Sequence, residues 1–485
     1  MFQPNYEKAM SFQPRYTVVP VCREIYADII TPITLLRKIA AASKQYYLLE
    51  SVENGNQWGR YSFLGFDPVI TVHCKDGTVT LKGELNKTVK TQKPMEVLRD
   101  VLKLYKTPHI PDIPPFTGGF VGHFSYEMIG YAEPVLNLKK SDYNDFDLML
   151  FDKVIAYDHL KQKICVVVNM KIRDGQKGYE NACKEIDAII QQITDNTPVP
   201  SESSDEAPEF TCNLTQEEYC KIVEKTKEYI INGDIFQAVL SRRFEAPYHS
   251  SLLNVYRVLR TTNPSPYMFF MKMDNLEYAG TSPETLIRLK DGRLSTFPVA
   301  GTRKRGDTYE EDKALETELL ADEKELAEHN MLVDLARNDL GRISKFSTVT
   351  VEEYMQIHRF SKVMHIASTV SGDIREDKDA FDAIETMLPA GTLSGAPKIR
   401  ACQIIDELEP AARGIYGGAV GYVDFSGNMD TCIAIRMATK KDGIVYVQAG
   451  GGIVADSIPE NEYVESANKA GAIIQAIQTA GEVNN

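Results

Sequence analysis

Two pairs of glutamates in this chain are spaced to share a helix face. Glu462 and Glu465 stand three residues apart shortly after Gly450-Gly451-Gly452, and Glu325 and Glu328 repeat the spacing in ADEKELAEHNMLVDLARNDLGR. Residues at i and i+3 are neighbours on a helix. Such acidic faces often meet only water. The residues after Glu328 (Met331, Leu332, Val333, Leu335) are apolar, however, which predicts a substantially buried helix whose carboxylates need a partner. A hard cation such as Mg²⁺, taking oxygen ligands from one or two carboxylates, would serve if the two helices converge. The three glycines add bare backbone N–H groups suited to a carboxylate.

Other stretches offer complementary chemistry. PAGTLSGAPK (389–398) reads as a strand-to-helix turn with free amides and hydroxyls at the helix start, suited to an anion. PVAGTRKRG (298–306) places Gly301 and Thr302 before basic residues. Arg436, alternating within the strand-like CIAIRMA, can make a bidentate carboxylate contact. Together they imply a small substrate with more than one carboxylate. His329, His358 and His365 cluster without zinc spacing. His365, on an apparent strand, is either a satisfied core group or a proton-transfer group near neutral pH. Gly450–Ala455 fits G-x-G-x-x-A, but a dinucleotide site would put Pro459 inside the following helix. A helix capped by Ser457 with Glu460 is the better reading.

The elements that must position these groups are legible in part. Thr31-Pro32 opens a helix, YYLLESV is a strand, and CKDGTVTLKGEL is a hairpin on Asp-Gly. Thr215 and Glu218 make a capping box for a helix ending at Asn232-Gly233. IFQAVLSRRFEA reads as a strand and TLIRLKDGRLSTFPVAG as a hairpin on Asp291-Gly292. Residues 418–452 predict three strands joined by tight turns, hence antiparallel sheet. GGFVGHFSYE (118–127) echoes GGAVGYVDFSGN (417–428), as if both halves gave similar hairpins to one scaffold. DNTPVPSESSDEAPEF (195–210) predicts a linker or exposed loop between an N-terminal part, 16–194, and a C-terminal part, 211–480.

Composition bounds the function. The 485 residues, 43% hydrophobic and 25% charged, suffice for a large globular core. A net charge of −14 speaks against a nucleic-acid binder. No apolar run nears the ~18 residues of a membrane span, and the N-terminus lacks a signal-peptide layout. Eight scattered cysteines without C-x-x-C predict free thiols in a reducing cytoplasm. None sits in a glycine-flanked nucleophile turn, so no thiol-based amide hydrolase is expected in this chain.

LLES, NPSPYMFF, SPETL, PVAGTRKRG, EHNMLVDLARNDLGR, PAGTLSGAPK, YGGAVGY and VQAGGGIVADSIPENEYVES occur in the order of the chorismate-utilising enzyme family. Nearly the whole chain resembles that family, and within it the aminating subunits that make anthranilate. The resemblance implies an α/β (α+β) fold of large layered antiparallel sheets surrounded by helices. It implies that Glu328 and Glu465 hold Mg²⁺ with Glu325 and Glu462 nearby. The Gly450, Gly451 and Gly452 amides, Arg436 and Tyr416 would bind chorismate carboxylates, with Gly301, Thr302 and Lys469 completing the pocket. Glu284 is implied as general acid, His365 as base, with Thr392 supporting the reacting face. Relatives that add water carry a lysine where this chain has Gln237, and aminodeoxychorismate-forming relatives carry one at the position of Ala300. Neither amine is present here, so free ammonia is the implied nucleophile, from a separate glutamine amidotransferase subunit in a heteromer, often two of each. Glu50 and Ser51, on the N-terminal regulatory and scaffold part, together with Pro266, Tyr267 and Met268 match the family's tryptophan feedback site. The rival readings are an aminodeoxychorismate-forming enzyme and a non-catalytic tryptophan sensor.

Overall fold

A computed structural model of the chain describes residues 1–51, 57–195, 197–198, 207–359 and 363–483; most of the stretch 195–210, expected to be a linker, lies outside them. Among the described residues the strands form two twelve-stranded sheets in which every pairing is antiparallel. The layered helix-and-sheet architecture is the one expected.

Both sheets draw strands from both parts of the sequence. In one, Tyr46–Glu50 pairs with Tyr267–Met273, setting Glu50 opposite Met268. In the other, Gly119–Phe124 pairs with Ala419–Asp424, setting Gly122 opposite Gly421. These neighbours are the two segments that echo one another in sequence. A Cβ at Gly122 would collide with the Asp147 carbonyl oxygen and one at Gly421 with that of Asp430, so adjacent chains occupy the space a side chain would need.

The sheets face each other across an apolar layer that includes Tyr47, Phe151, Phe269, Tyr278, Val420 and Met437. Helices cover the outer faces. Pro32–Ala42, Gly175–Thr194, Leu253–Thr262 and Pro459–Thr479 pack on the first sheet, while Pro94–Leu102, Glu323–Gly341 and Ala380–Met387 pack on the second. The helix start at Thr31-Pro32, the capping box at Thr215 and the Asp-Gly hairpins form as predicted. Asp76, Gly77, Asp291 and Gly292 all take positive φ, as type I′ turns require.

Two local readings are corrected. Residues 417–453 hold four strands rather than three: Ala419–Asp424, Met429–Ile433, Met437–Lys441 and Ile444–Ile453. The chain crosses from one sheet to the other between Ile433 and Met437, and Arg436 stands in that crossing with φ +53° rather than inside a strand. The C-terminal helix begins at Pro459 with Ile458 as its N-cap, not at Ser457. Proline suits a first helical position because its missing N–H would have no partner there.

Candidate active site

The Gly450–Gly452 strand end, the Glu323–Gly341 helix and the Pro459–Thr479 helix approach one another, with Gly451 beside Glu462 and Glu465 and Glu328 sensing Glu465; the space among them forms a cleft. Ile444–Ile453 pairs with Gln237–Pro247, and Ser241, Leu240 and Val239 oppose Gly450, Gly451 and Gly452. The glycines have different duties. A Cβ on Gly450 would collide with the Leu240 carbonyl, and one on Gly452 with the Gln237 amide. A Cβ on Gly451 would instead enter the cleft, 3.0 Å from Glu462 Oε2 and 3.9 Å from Glu465 Oε1.

Four carboxylates line this cleft. Asp322 caps the Glu323–Gly341 helix by accepting from the Lys324 and Glu325 amides. This helix buries His329, Leu332 and Val333 but leaves Glu328 exposed to the cleft, which corrects the expectation that Glu328 is buried. Surrounding protein still raises the Glu328 carboxyl above its ordinary value, and repulsion from Glu325 and Glu465 adds to the effect. Glu462 is raised for the same reasons, burial first, and accepts a hydrogen bond from Ser457 Oγ at 2.7 Å. Glu465 pairs with Lys469 at 2.7 Å, and Lys469 also donates to the Gly450 carbonyl at 3.1 Å. The Lys469 ammonium acts on Glu284, Glu328 and Glu462 as well, so one cation links acids from three elements.

Among the described residues no three His, Cys, Asp or Glu side chains stand close enough to hold one metal ion. The donor set nonetheless fits a hard divalent ion. It is all oxygen, its members repel one another, and Gly451 leaves open the space beside Glu462 and Glu465. Glu325 and Glu328 from one helix and Glu462 and Glu465 from the other are the residues that would hold Mg²⁺.

Glu284 follows the Leu276–Ser282 strand and accepts from the Thr392 hydroxyl at 2.9 Å. Burial raises its carboxyl to about 7 against the opposing effects of Thr392 and Lys469. Thr392 lies on a short 3-10 turn, Gly391–Leu393, while the nearby helix begins only at Lys398. The helix start expected within 389–398 thus falls at the end of that stretch, with Pro397 as its N-cap, and Thr392 lies before it. Gly395–Ala396 intervenes, pairing with the Gln237–Pro247 strand.

His365 lies on the Val363–Asp373 strand opposite Thr302, beside a bulge at Gly301 where φ is +65°. Its Nδ1 is 3.1 Å from the Gly301 carbonyl oxygen and 3.0 Å from Thr302 Oγ1. A carbonyl can only accept, so Nδ1 carries the proton and Nε2 is the basic nitrogen. Burial lowers the imidazole below its ordinary range, and Arg436 adds to this. Arg436 is itself lowered by burial and senses Tyr416 and Glu465. Burial pushes the Tyr416 hydroxyl up to about 12 against the opposing effect of the Arg413 guanidinium. Of the basic residues after Thr302, Arg303 pairs with Glu318 and Asp322 and reaches the cleft carboxylate Glu325 at 3.5 Å, while Arg305 pairs with Asp312. His329 is buried against Ser368, whereas His358, on an exposed strand near Glu353, is the cross-strand neighbour of His365 and adds to the lowering of its imidazole.

The predicted tryptophan-site residues gather elsewhere, where the two parts of the chain pair. Glu50 accepts from Ser62, from Tyr256 at 2.5 Å and from Arg260 at 3.1 Å. Ser51 Oγ is buried and has no hydrogen-bond partner among the described residues. Pro266 is buried, Met268 packs into the core, and the Tyr267 hydroxyl bonds Thr285 Oγ1 and Asp430.

Sequence reasoning missed Arg413. This buried side chain pairs with Glu409 at 2.6 Å and donates to the carbonyls of Leu393 and Val239. It thereby ties the turn bearing Thr392 to the strand that opposes the glycines. A lone arginine in the loop EPAARGIYGG carries no periodic signal that would reveal this.

A family model for chorismate binding enzymes matches residues 45–475, and the chain belongs to that family. Anthranilate synthase component 1 of Acetivibrio thermocellus is 46% identical to it over 494 residues, covering 100% of both chains. The crystal structure of anthranilate synthase component I from Streptococcus pneumoniae TIGR4 superposes with a TM-score of 0.79 at 36% identity, covering 93% of this chain and 99% of that one. The menaquinone-specific isochorismate synthase of Escherichia coli shares the fold, with a TM-score of 0.69 at 19% identity over 97% of this chain and 99% of its own.

Proposed function

We propose that this protein is an anthranilate synthase aminating subunit, converting chorismate and ammonia to anthranilate and pyruvate. The observation that carries this reading is a pair of groups shifted apart: a carboxylic acid poised near neutrality, Glu284, which senses Lys469, and a half-buried imidazole, His365, which senses Arg436 and is held toward its neutral form. Environments that separate an acid from a base in this way define their roles. Glu284, protonated in half the molecules near pH 7, donates to the C4 hydroxyl as it leaves while ammonia adds at C2. His365 Nε2 then removes the C2 proton, pyruvate departs, and the ring becomes aromatic. Thr392 holds the acid in place. Arg436, Tyr416 and the glycine amides orient the substrate carboxylates. Mg²⁺, when bound, supplies positive charge to neutralise the ring carboxylate and accept density developing on the ring.

Gln237 is 5% exposed beside Gly452 and has no amine to activate water, and Ala300 has none to attack the ring. These positions support external ammonia as nucleophile. A glutamine amidotransferase partner would supply it, in a heteromer that could hold two of each chain. Tryptophan bound at Ser51 and the Pro266–Met268 segment would inhibit as the end product. The N-terminal part thus serves regulation and scaffold and the C-terminal part catalysis, in the cytoplasm. No helix among the described residues is long and apolar enough to cross a membrane. The test is direct: the purified chain with chorismate, Mg²⁺ and ammonium salts at alkaline pH should produce anthranilate fluorescence without a partner. Folded protein that produces none would overturn the proposal.

A further inference from the structure

Arg242, on the Gln237–Pro247 strand, is 2% exposed and the largest of the fully buried side chains. Among the described residues it makes no ion pair with a carboxylate; its partners lie mainly on one helix. Nε donates to Ser466 Oγ at 2.9 Å, and a terminal nitrogen donates to the Tyr463 carbonyl at 2.6 Å. The other terminal nitrogen reaches Cys212 Sγ at 3.9 Å. Aromatic faces enclose the guanidinium, with ring centroids of Tyr463, Phe244 and Tyr219 at 3.7, 5.0 and 5.6 Å.

Tyr463 and Ser466 each follow one of the cleft carboxylates, Glu462 and Glu465. One residue is about 100° of rotation on an α-helix. Arg242 therefore grips the flank of the Pro459–Thr479 helix next to the face that presents the glutamates. Burying a guanidinium is costly, and an apolar residue would fill the place without that cost. A planar fork does what an apolar residue cannot: it donates to two adjacent oxygens on a single helix, Ser466 Oγ and the Tyr463 carbonyl, which are themselves hydrogen-bonded at 2.9 Å. The geometry points to Arg242 as a positioning residue that sets the rotation and depth of this helix, and so the affinity with which Glu462 and Glu465 hold a divalent cation. Tyr219 lies between the two groups and senses both Arg242 and Glu462.

This inference rests on the reading that the cleft glutamates hold a divalent cation, and the experiment separates the two. Mn²⁺ serves as probe, titrated by electron paramagnetic resonance into substrate-free wild type and R242K, R242M, S466A and E465Q. Hydrogen exchange is followed in the metal-free proteins. Wild type should bind Mn²⁺, and E465Q should weaken it at least tenfold. R242K and R242M should each weaken it by about 10- to 100-fold, as loss of an outer-shell support does. Lysine fails to rescue because its point charge reproduces neither the planar fork nor the stacking on the Tyr463 ring. S466A should give a smaller loss, and it carries the test if R242M does not fold. Exchange should quicken in the first turns of the Pro459–Thr479 helix but not in Glu323–Gly341. Tight binding by wild type and by both Arg242 variants, with E465Q impaired, overturns the inference alone. Equal binding by wild type and E465Q, or none by wild type, overturns the cation reading and the inference with it. Weaker binding with faster exchange throughout marks a general structural role and overturns the positioning role.

Discussion

The Thr392 hydroxyl donates to Glu284 Oε1 over 2.9 Å, so a short turn opposes the burial that makes this carboxyl a weak acid. A general acid must be protonated, so activity at fixed unprotonated ammonia should fall as pH rises through about 7, where Glu284 titrates. Removing the hydroxyl in T392A takes away a pKa-lowering interaction. The alkaline limb of kcat/KM should then move to higher pH, and E284Q should lose about 10²–10⁴-fold. An alkaline limb that T392A shifts to lower pH would refute the assignment.

His365 must be neutral to accept a proton, and burial favours that form. The acidic limb of the rate profile should therefore lie below the ordinary histidine range, about 6.5. H365M should let the aminated intermediate accumulate, visible by chromatography as a non-aromatic product. Undiminished anthranilate output from H365M would clear this residue of the base role.

Much of the scaffold was legible because its signals are local. An Asp-Gly hairpin or a Thr-x-x-Glu capping box is decided within a few residues, and those at Asp76, Asp291 and Thr215 formed as read. Arg436 was not legible. The apolar alternation of CIAIRMA continues through the point where the chain changes sheets, and only tertiary packing turns Arg436 to φ +53°. Glu328 was misjudged because apolar neighbours mark a buried face, not which residues share it; His329 points inward and Glu328 outward. Arg242 and Arg413 sit among apolar or irregular neighbours with no spacing to report their long-range partners, 221 and 174 residues away for Tyr463 and Val239. The roles of Glu328 and Glu465 came from resemblance rather than from spacing.

Gly450 and Gly451 should respond oppositely to alanine. At Gly450 the new methyl meets the Leu240 carbonyl of the paired strand, backbone that cannot yield cheaply. G450A should cost about 1–3 kcal/mol of stability, the ordinary range for overpacking, read from denaturant midpoints. At Gly451 the methyl enters the cleft beside Glu462 and Glu465. G451A should keep its unfolding midpoint and lose Mg²⁺-dependent activity. A G451A variant with unchanged kcat/KM would show that this space is not used.

The Glu328 and Glu462 carboxyls are raised on folding, so the folded state favours their protonated forms. A raised carboxyl contributes stability at low pH that is lost as pH rises through its folded value. In metal-free protein the melting temperature of E328Q should therefore exceed that of wild type at neutral and alkaline pH, with the difference vanishing in acid. Mg²⁺ should reverse the order, since a ligand at 100 times its Kd stabilises by about 2.7 kcal/mol. Calorimetry that finds E328Q less stable at every pH without Mg²⁺ would show that the glutamates do not repel.

Glu50 is already engaged by Arg260, Tyr256 and Ser62, whereas Ser51 Oγ is buried without a partner among the described residues. Ser51 is thus the better acceptor for a ligand ammonium, and S51A should relieve inhibition without changing kcat or KM for chorismate. Tyr267 connects this region to the acid: its hydroxyl bonds Thr285, the residue after Glu284, and its strand pairs with the one that leads to Glu284. Removing that hydroxyl in Y267F should leave tryptophan binding within about twofold but reduce the coupling, which for such linked sites is typically 1–3 kcal/mol. Calorimetric tryptophan titration with and without chorismate separates the two effects. If S51A is inhibited like wild type, and Y267F couples the ligands as strongly, tryptophan acts somewhere other than at this strand pairing.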